Sequence, residues 1–432
     1  MNAATTSSIA HSYSRIGRHA DAARLFARLE RLALDGVVGA GSWPLGHLAV
    51  GDAAEAYVAL ERAVAKVENH EPDEGFFNLM IIKSNVLRNP VLDEPRFVAL
   101  RERIGAFCRR RGYSTRMKRL AILDDYEHAA LDLADWTALE PRVAVTAFHD
   151  HLANVAAVAE RLREFEIVCA MRERTPFRRS LLERLPKLEH LITSGMRNFA
   201  IDLAAAAERG IVVTGTPILP YPAAEHTWAL ILALAKRVPQ DDRAMREGLW
   251  GQAVNIGLKG KTRGVIGLGK LGAQVARVGL AFGMNVVAWS ENLTAARCEE
   301  VGVRLAGKAE LLGAADFVTI HLVLGERTRG LIGAQDLALM RPEAYLINTS
   351  RGPIVDEPAL IEALAARRIA GASLDVFADE PLPAGHPLRQ LPNTVLTPHQ
   401  GYVTAENFRI FFSTAIDNVR RWLDGEIVNR LA

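Results

Sequence analysis

The sequence predicts an α/β chain, with two parallel-sheet units wrapped by helices and an all-helical segment in front of them. Three observations carry this expectation. Beyond residue 117, short apolar and often β-branched runs alternate with helical stretches; one run is followed by a glycine-rich turn that opens a helix; and the first hundred residues instead keep apolar positions at helical spacing. A length of 432 residues suggests two to four domains, and 49% hydrophobic with 24% charged residues is the composition of a chain that buries large cores.

The same arithmetic excludes several classes. Lys plus Arg number 52 against 50 Asp plus Glu, so the charge of +2 leaves no electrostatic footprint for nucleic acid. The longest unbroken apolar run, Trp228 to Ala235, is far below the roughly 18 residues of a membrane span. The start, MNAATTSSIAHSYSR, has no apolar secretion core, and three distant cysteines (Cys108, Cys169, Cys298) read as free thiols in a reducing compartment. The expectation is a cytoplasmic protein with neither nucleic acid nor membrane as partner.

Residues 1–108 read as helical. Gly17 and Gly51 lie 34 residues apart, each followed by Ala22 or Ala56 and then by Phe26 or Leu60. This period resembles the tetratricopeptide repeat, in which the glycine permits a turn between helices and the alanine their close packing; a generic helical hairpin explains two units as well. The segment is read as a truncated array offering a surface for a protein partner, or as a fusion remnant. Residues 109–117 form a basic linker, which reads as solvated chain.

Strands are expected at Arg119–Leu123, Glu166–Ala170, His190–Thr193 and Ile211–Thr214, and then at Arg263–Gly267, Asn285–Trp289, Phe317–Leu322, Tyr345–Asn348, Ser373–Val376 and Val395–Thr397, with helices such as Glu225–Arg237 and Lys270–Phe282 between them. The first series and the C-terminal stretch (118–216 and 399–432) are read as a discontinuous substrate domain, and 217–398 as the cofactor domain inserted into it.

The sharpest motif is Gly267-Leu268-Gly269-Lys270-Leu271-Gly272, a G-x-G-x-x-G between a strand and a helix. Gly267 permits the tight turn, Gly269 lets the backbone approach a pyrophosphate, and Gly272 lets helix and strand pack closely, while the helix start at Lys270 and Leu271 presents free N–H groups to the anion. This is the Rossmann dinucleotide fingerprint. The next strand should end on an acid that holds the adenosine ribose. Here Ser290 takes that place, followed by Glu291 and Asn292, so NAD is expected and NADP stays open.

Three more groups follow strands directly: Arg351, Glu380 and His399. In an open parallel sheet the carboxyl ends of strands line the ligand crevice, so all three converge on the glycine turn's edge, although each alone also fits an ion pair, a loop carboxylate and a packed histidine. His321 follows a strand and reads as a packed histidine, an approach to the cofactor being the alternative. His11, His19, His149 and His151 lack ligand spacing, so no metal is expected.

The glycine turn, NTSRGPIVDEPAL at 348–360, GASLDVFADEPLP at 371–383 and TPHQGY at 397–402 together resemble the D-isomer-specific 2-hydroxyacid dehydrogenases, from about Met117 to Ala432. The resemblance implies two Rossmann-like domains with the active site in the cleft between them, an NAD(P)-dependent exchange of hydride with a small 2-keto or 2-hydroxy acid, and a homodimer. It implies that Arg351 binds the substrate carboxylate, that His399 gives or takes the proton, and that Glu380 holds His399. Thr349 is implied near the cofactor and Asp375 near the nicotinamide carboxamide, a turn role for Asp375 remaining open. Gly195, Met196 and Arg197 match the loop whose backbone binds the substrate carboxylate; Arg197 either grips an acidic substrate or lies in solvent. Gln400 and Tyr402 replace small residues common in the family. Glu380 stands where formate dehydrogenases carry glutamine. The same fold also serves NAD(H)-sensing co-repressors, which is the alternative reading.

Overall fold

The computed structural model describes residues 117–140 and 142–432. The repeat-like segment and all of the basic linker but Met117 lie outside the described residues. The described chain divides into two compact units: one holds the residues up to Thr216 together with Phe412–Ala432, the other Pro217–Phe411.

The first unit is a five-stranded, all-parallel sheet in the order β2-β1-β3-β4-β5. Its strands are β1 (Lys118–Ile122), β2 (Val143–Ala147), β3 (Ile167–Ala170), β4 (His190–Thr193) and β5 (Val212–Gly215). Strands buried on both faces read as continuous apolar runs, and the central β3 and β4 are buried at every residue. Helices α1 (Val155–Leu162), α2 (Arg179–Leu182) and α3 (Leu203–Glu208) connect them, and Leu162, Phe177, Leu182 and Ala205 close the core over Val168, Leu191 and Val213. β2 was not expected from the sequence. It is an edge strand built of Val, Ala and Thr and only half buried, so its apolar signal is weak. The chain's last residues return to this sheet, where the Gly215 N–H donates to the Asn429 carbonyl and the Leu431 N–H to that of Val213.

The second unit carries a seven-stranded parallel sheet in the order β12-β11-β10-β9-β6-β7-β8. It comprises β6 (Thr262–Ile266), β7 (Asn285–Trp289), β8 (Arg304–Leu305), β9 (Phe317–Ile320), β10 (Tyr345–Asn348), β11 (Gly371–Leu374) and β12 (Thr394–Leu396). Helices α4 (Pro222–Ala235), α5 (Val238–Arg246), α6 (Lys270–Ala281), α7 (Ala295–Val301), α8 (Lys308–Ala314), α9 (Ala334–Leu339) and α10 (Glu357–Ala365) accompany it. One core packs Ile266, Val318, Leu346 and Leu364, the other Trp228, Ile231, Val265 and Ala276. The order reverses between β6 and β9, which is the switch point where such sheets bind ligands.

The sequence reading ends the cofactor domain at 398. The second compact unit instead runs on to Phe411, inside the long α11 (Ala405–Leu423). The reason is aromatic packing, because Tyr402, Phe408 and Phe411 have mutual ring-centroid distances of 6.1 to 6.4 Å and hold the start of α11 in the second unit.

Candidate active site

In the second unit, every expected group follows the carboxyl end of a strand, so the parallel register brings them to one edge of the sheet. The glycine turn leaves β6 with Gly267 at φ +98°, and a Cβ there would lie 2.7 Å from the His321 carbonyl oxygen. A Cβ at Gly272 would collide with the Gly267 carbonyl. These two positions are small because the protein itself fills the space. Gly269 differs: it caps α6 with no side chain over the first N–H groups, and a Cβ there meets nothing within 4 Å. Space reserved beside an uncapped helix start, with Lys270 and Leu271 as its first residues, fits the pyrophosphate of a dinucleotide.

His321 packs beneath this turn, its N–H donating to the Ile266 carbonyl at 2.7 Å. Burial and the nearby Arg263 charge push its imidazole down to about 3, so it stays neutral. Ser290 follows β7 directly and accepts the Leu293 N–H at 3.0 Å, while Glu291 and Asn292 are exposed. Arg297, not singled out from the sequence, donates from Nε to the Leu268 carbonyl at 3.3 Å and sets a cation beside this turn.

The histidine turn is organised by Asp375, which is fully buried after β11. Its carboxylate accepts the Gln400 N–H at 2.7 Å, the Gly401 N–H at 2.8 Å and the Thr397 hydroxyl at 2.6 Å, and His226 Nε2 lies 3.1 Å away. A buried carboxylate needs such donors, and here they bend residues 397–401 so that His399 sits at φ +56°. The geometry therefore supports the turn role for Asp375. His399 Nδ1 meets Glu380 Oε2 at 2.6 Å, and Glu380 Oε1 accepts the Phe377 N–H at 2.9 Å. Glu380 is thus fixed by the backbone before it fixes the ring.

Arg351 follows β10 in extended conformation and donates to the Ser350 carbonyl at 2.7 Å. Gly352 presses on the Phe377 backbone so closely that any side chain would collide with it, which ties the arginine turn to the strand exit that bears Glu380. The Thr349 hydroxyl pairs with that of Thr227 at 2.7 Å. His226 and Thr227 were missed from the sequence. Their signal was the polar run Glu225-His226-Thr227 inside the otherwise apolar α4.

In the first unit, the loop after β4 holds Gly195 at φ +92°, its N–H bonded to the Thr216 hydroxyl at 3.0 Å. Met196 and Arg197 are exposed. Arg172, also missed, lies over this loop: it donates to the Ser194 carbonyl at 3.1 Å, and a Cβ at Gly195 would collide with its guanidinium. Asn198 clamps the loop through the Arg172 carbonyl at 2.6 Å and the Thr193 hydroxyl at 2.9 Å.

The profile of the D-isomer specific 2-hydroxyacid dehydrogenase NAD binding domain matches residues 228–401. A glyoxylate reductase of Aeropyrum pernix is 38% identical over 257 residues, 57% of this chain and 77% of that protein. The chain belongs to the D-isomer specific 2-hydroxyacid dehydrogenase family. Membership carries NAD-dependent oxidoreduction of hydroxyacids, with NAD as the cofactor of the matched domain. A D-3-phosphoglycerate dehydrogenase of Methanocaldococcus jannaschii is 36% identical over 276 residues, 63% of this chain but 52% of that enzyme, so the chain spans about half of its length. Among solved structures, a phosphoglycerate oxidoreductase from Vibrio cholerae superposes with a TM-score of 0.69 at 35% identity, covering 72% of this chain and 100% of that one. The D-lactate dehydrogenase of Aquifex aeolicus, complexed with NAD and lactic acid, superposes with a TM-score of 0.59 at 26% identity, covering 71% and 96%.

Proposed function

We propose that this dehydrogenase reduces a small 2-keto acid to the D-2-hydroxy acid, His399 giving the proton. The observation that carries the reading is the His399–Glu380 contact of 2.6 Å on the same sheet edge as the open glycine turn. With Nδ1 engaged by a carboxylate, Nε2 is the atom that protonates the carbonyl oxygen during reduction and removes the hydroxyl proton during oxidation. Arg351 binds and orients the substrate carboxylate; in the first unit the turn at Gly195 offers the backbone N–H groups of Met196 and Arg197, and Arg172 adds a cation there. Gly267 and Gly272 shape the turn, and Gly269 with the first N–H groups at Lys270 and Leu271 holds the dinucleotide phosphates, with Ser290, Glu291 and Asn292 at its adenosine end and Thr349 on the nicotinamide side. The bound nicotinamide supplies the hydride.

The test is loss of nicotinamide absorbance at neutral pH with NADH and NADPH in parallel, against glyoxylate, hydroxypyruvate, pyruvate and phenylpyruvate. Turnover that disappears in His399→Ala supports the reading. No turnover while NADH still binds rejects it.

The reading extends to a homodimer. Val238, Met245, Leu249 and Trp250 on and after α5 are exposed, Trp250 by 84%, and this apolar face fits a second copy. Light scattering on Trp250→Glu checks it, with a monomer expected. It also extends to the cytoplasm, checked by cell fractionation, and to a protein partner for residues 1–108, checked by comparing pull-downs of the full chain with those of residues 117–432.

A further inference from the structure

The second unit holds another cavity, of about 450 Å³, on which none of the chemistry above draws. It lies at the opposite edge of the sheet from the glycine turn. Tyr345 opens β10, and Ala370 and Asn393 immediately precede β11 and β12, so the wall is made from the amino ends of strands. A volume of this size admits a small organic ligand.

The wall carries two cations and two acceptors. Arg237, between α4 and α5, and Arg367, after α10, both adopt left-handed backbone conformations, at φ +52° and +54°. Among the described residues, no carboxylate lies within ion-pair distance of either. Three side-chain atoms of the wall are buried without a hydrogen-bond partner: Arg237 Nε, Gln240 Oε1 and Asn393 Oδ1. The orientation of Asn393 is fixed, because its Nδ2 donates to the Leu364 and Ala370 carbonyls at 3.2 and 3.3 Å, leaving Oδ1 as the unpartnered end. Buried polar atoms without partners are rare, and a group of them around one cavity marks a place where a ligand completes the bonding. Guanidinium groups suit a carboxylate, and amide oxygens suit a neighbouring O–H or N–H. Leu234, Ile256 and Pro392 leave an apolar part for a short side chain.

We propose that this cavity binds a small α-hydroxy or α-amino carboxylate, its carboxylate on Arg237 and Arg367 and its α-donor on the oxygens of Gln240 and Asn393. The α-hydroxy source is the class of the enzyme's own product, and that arm alone rests on the function proposed above; it makes the cavity a product-sensing site.

Calorimetry on the full chain without cofactor tests it, with D-lactate, L-alanine and L-leucine as probes and propionate, which has the carboxylate but no α-donor, as the control. At least one probe is expected to bind, and Arg237→Met and Arg367→Met should each weaken it by about tenfold or more while kcat and NADH affinity stay within about twofold. Propionate should bind at least about tenfold more weakly than that probe. Binding of D-lactate alone identifies the product class, and binding of the amino acids alone the amino class. The proposal is overturned if no probe binds, as expected when only water or a neighbouring copy fills the cavity. It is also overturned if both arginine variants bind like the parent, or if propionate binds equally well. Failure of keto-acid turnover leaves the amino-acid arm untouched, so the two readings fail separately.

Discussion

The two sheets present the same kind of carboxyl edge and use it in opposite ways. In the second, the turn after β6 is made of glycines and leaves an uncapped helix start beside open space at Gly269. In the first, the turn after β1 is Leu123-Asp124-Asp125-Tyr126, and its carboxylates seal it. Asp125 accepts the Ala129 and Ala130 N–H groups at 3.0 and 3.2 Å, and Asp124 takes the Thr175 hydroxyl at 2.6 Å with His151 Nδ1 at 3.0 Å. A parallel-sheet edge binds an anion only when its own side chains leave the backbone donors unspent. Each edge also has a histidine–carboxylate pair, but Asp124 is buried at 2% exposure, whereas the Glu380 side chain is 31% exposed. The first pair holds a turn, and the carboxylate of the second stands open to solvent.

The largest expected effect separates those pairs. His399→Ala should lower kcat by about 10²- to 10⁴-fold with an unchanged melting temperature. His151→Ala should lower stability and leave kcat within about threefold. Stopped assays and thermal melts on both variants decide it, and comparable kcat losses would erase the distinction. Next comes Gly269→Ala. Its φ of −73° suits alanine and nothing in the protein opposes the methyl, so the fold should hold while NADH affinity, read by fluorescence titration, falls about tenfold or more. Unchanged affinity would show that the space is not reserved for the dinucleotide.

Third, Asp125→Ala should cost about 2–6 kcal/mol, since two backbone donors lose their acceptor at about 1–3 kcal/mol each. Urea unfolding measures this, and a loss below about 1 kcal/mol would mean that the first edge is not sealed by this carboxylate.

The same pair of sheets predicts acid sensitivity in both units. Burial pushes His190 in the first down to about 3, as burial and the Arg263 charge do for His321 in the second. The folded chain keeps both rings neutral, while the unfolded chain takes up protons below about pH 6.5. Stability is therefore complete above that value and is lost as pH falls from about 6.5 towards 3, by on the order of 1 kcal/mol per pH unit and ring. His190→Gln should flatten that slope in urea titrations between pH 7 and 5, and an unchanged slope would remove His190 from the account.

Much of this was legible beforehand for a physical reason. Doubly buried strands leave strong local signals, β3 being apolar throughout and β4 and β9 carrying only His190, Thr193 and Thr319 among apolar residues, and so does the glycine turn, which has few other backbone solutions. The edge strands β2 and β8 left weak ones, being half or fully exposed. Arg351, Glu380 and His399, the groups proposed for the chemistry, stand out in the sequence because each follows a strand. His226, Thr227 and Arg172 do not, because their contacts to Asp375, Thr349 and Ser194 span 149, 122 and 22 residues of sequence. Long-range partners leave no periodic trace. The turn role of Asp375 emerged only when residues 397–401 were seen wrapped around its carboxylate.

The smallest effect concerns a charge with no counterpart in the first sheet. Arg263 lies in β6 with 0% exposure. Its contacts are neutral: the Val275 carbonyl at 3.3 Å, the Thr319 hydroxyl at 3.4 Å and the Trp228 ring at 4.4 Å from Cζ, while Nε has no partner. Burial pushes the guanidinium down to about 9, so these contacts return less than desolvation removes. Replacing a buried charge by an apolar group of similar length is often stabilising. Arg263→Met should therefore raise stability at neutral pH by about 1–2 kcal/mol, offset in part by the lost stacking on Trp228. Burial still holds the His321 imidazole down in that variant, but the part of the depression due to Arg263 should go, so the acid loss from His321 should end at a higher pH. A variant that is less stable than the parent would mean that the Trp228 contact outweighs the desolvation, making the cation a structural support of β6 rather than a cost to it.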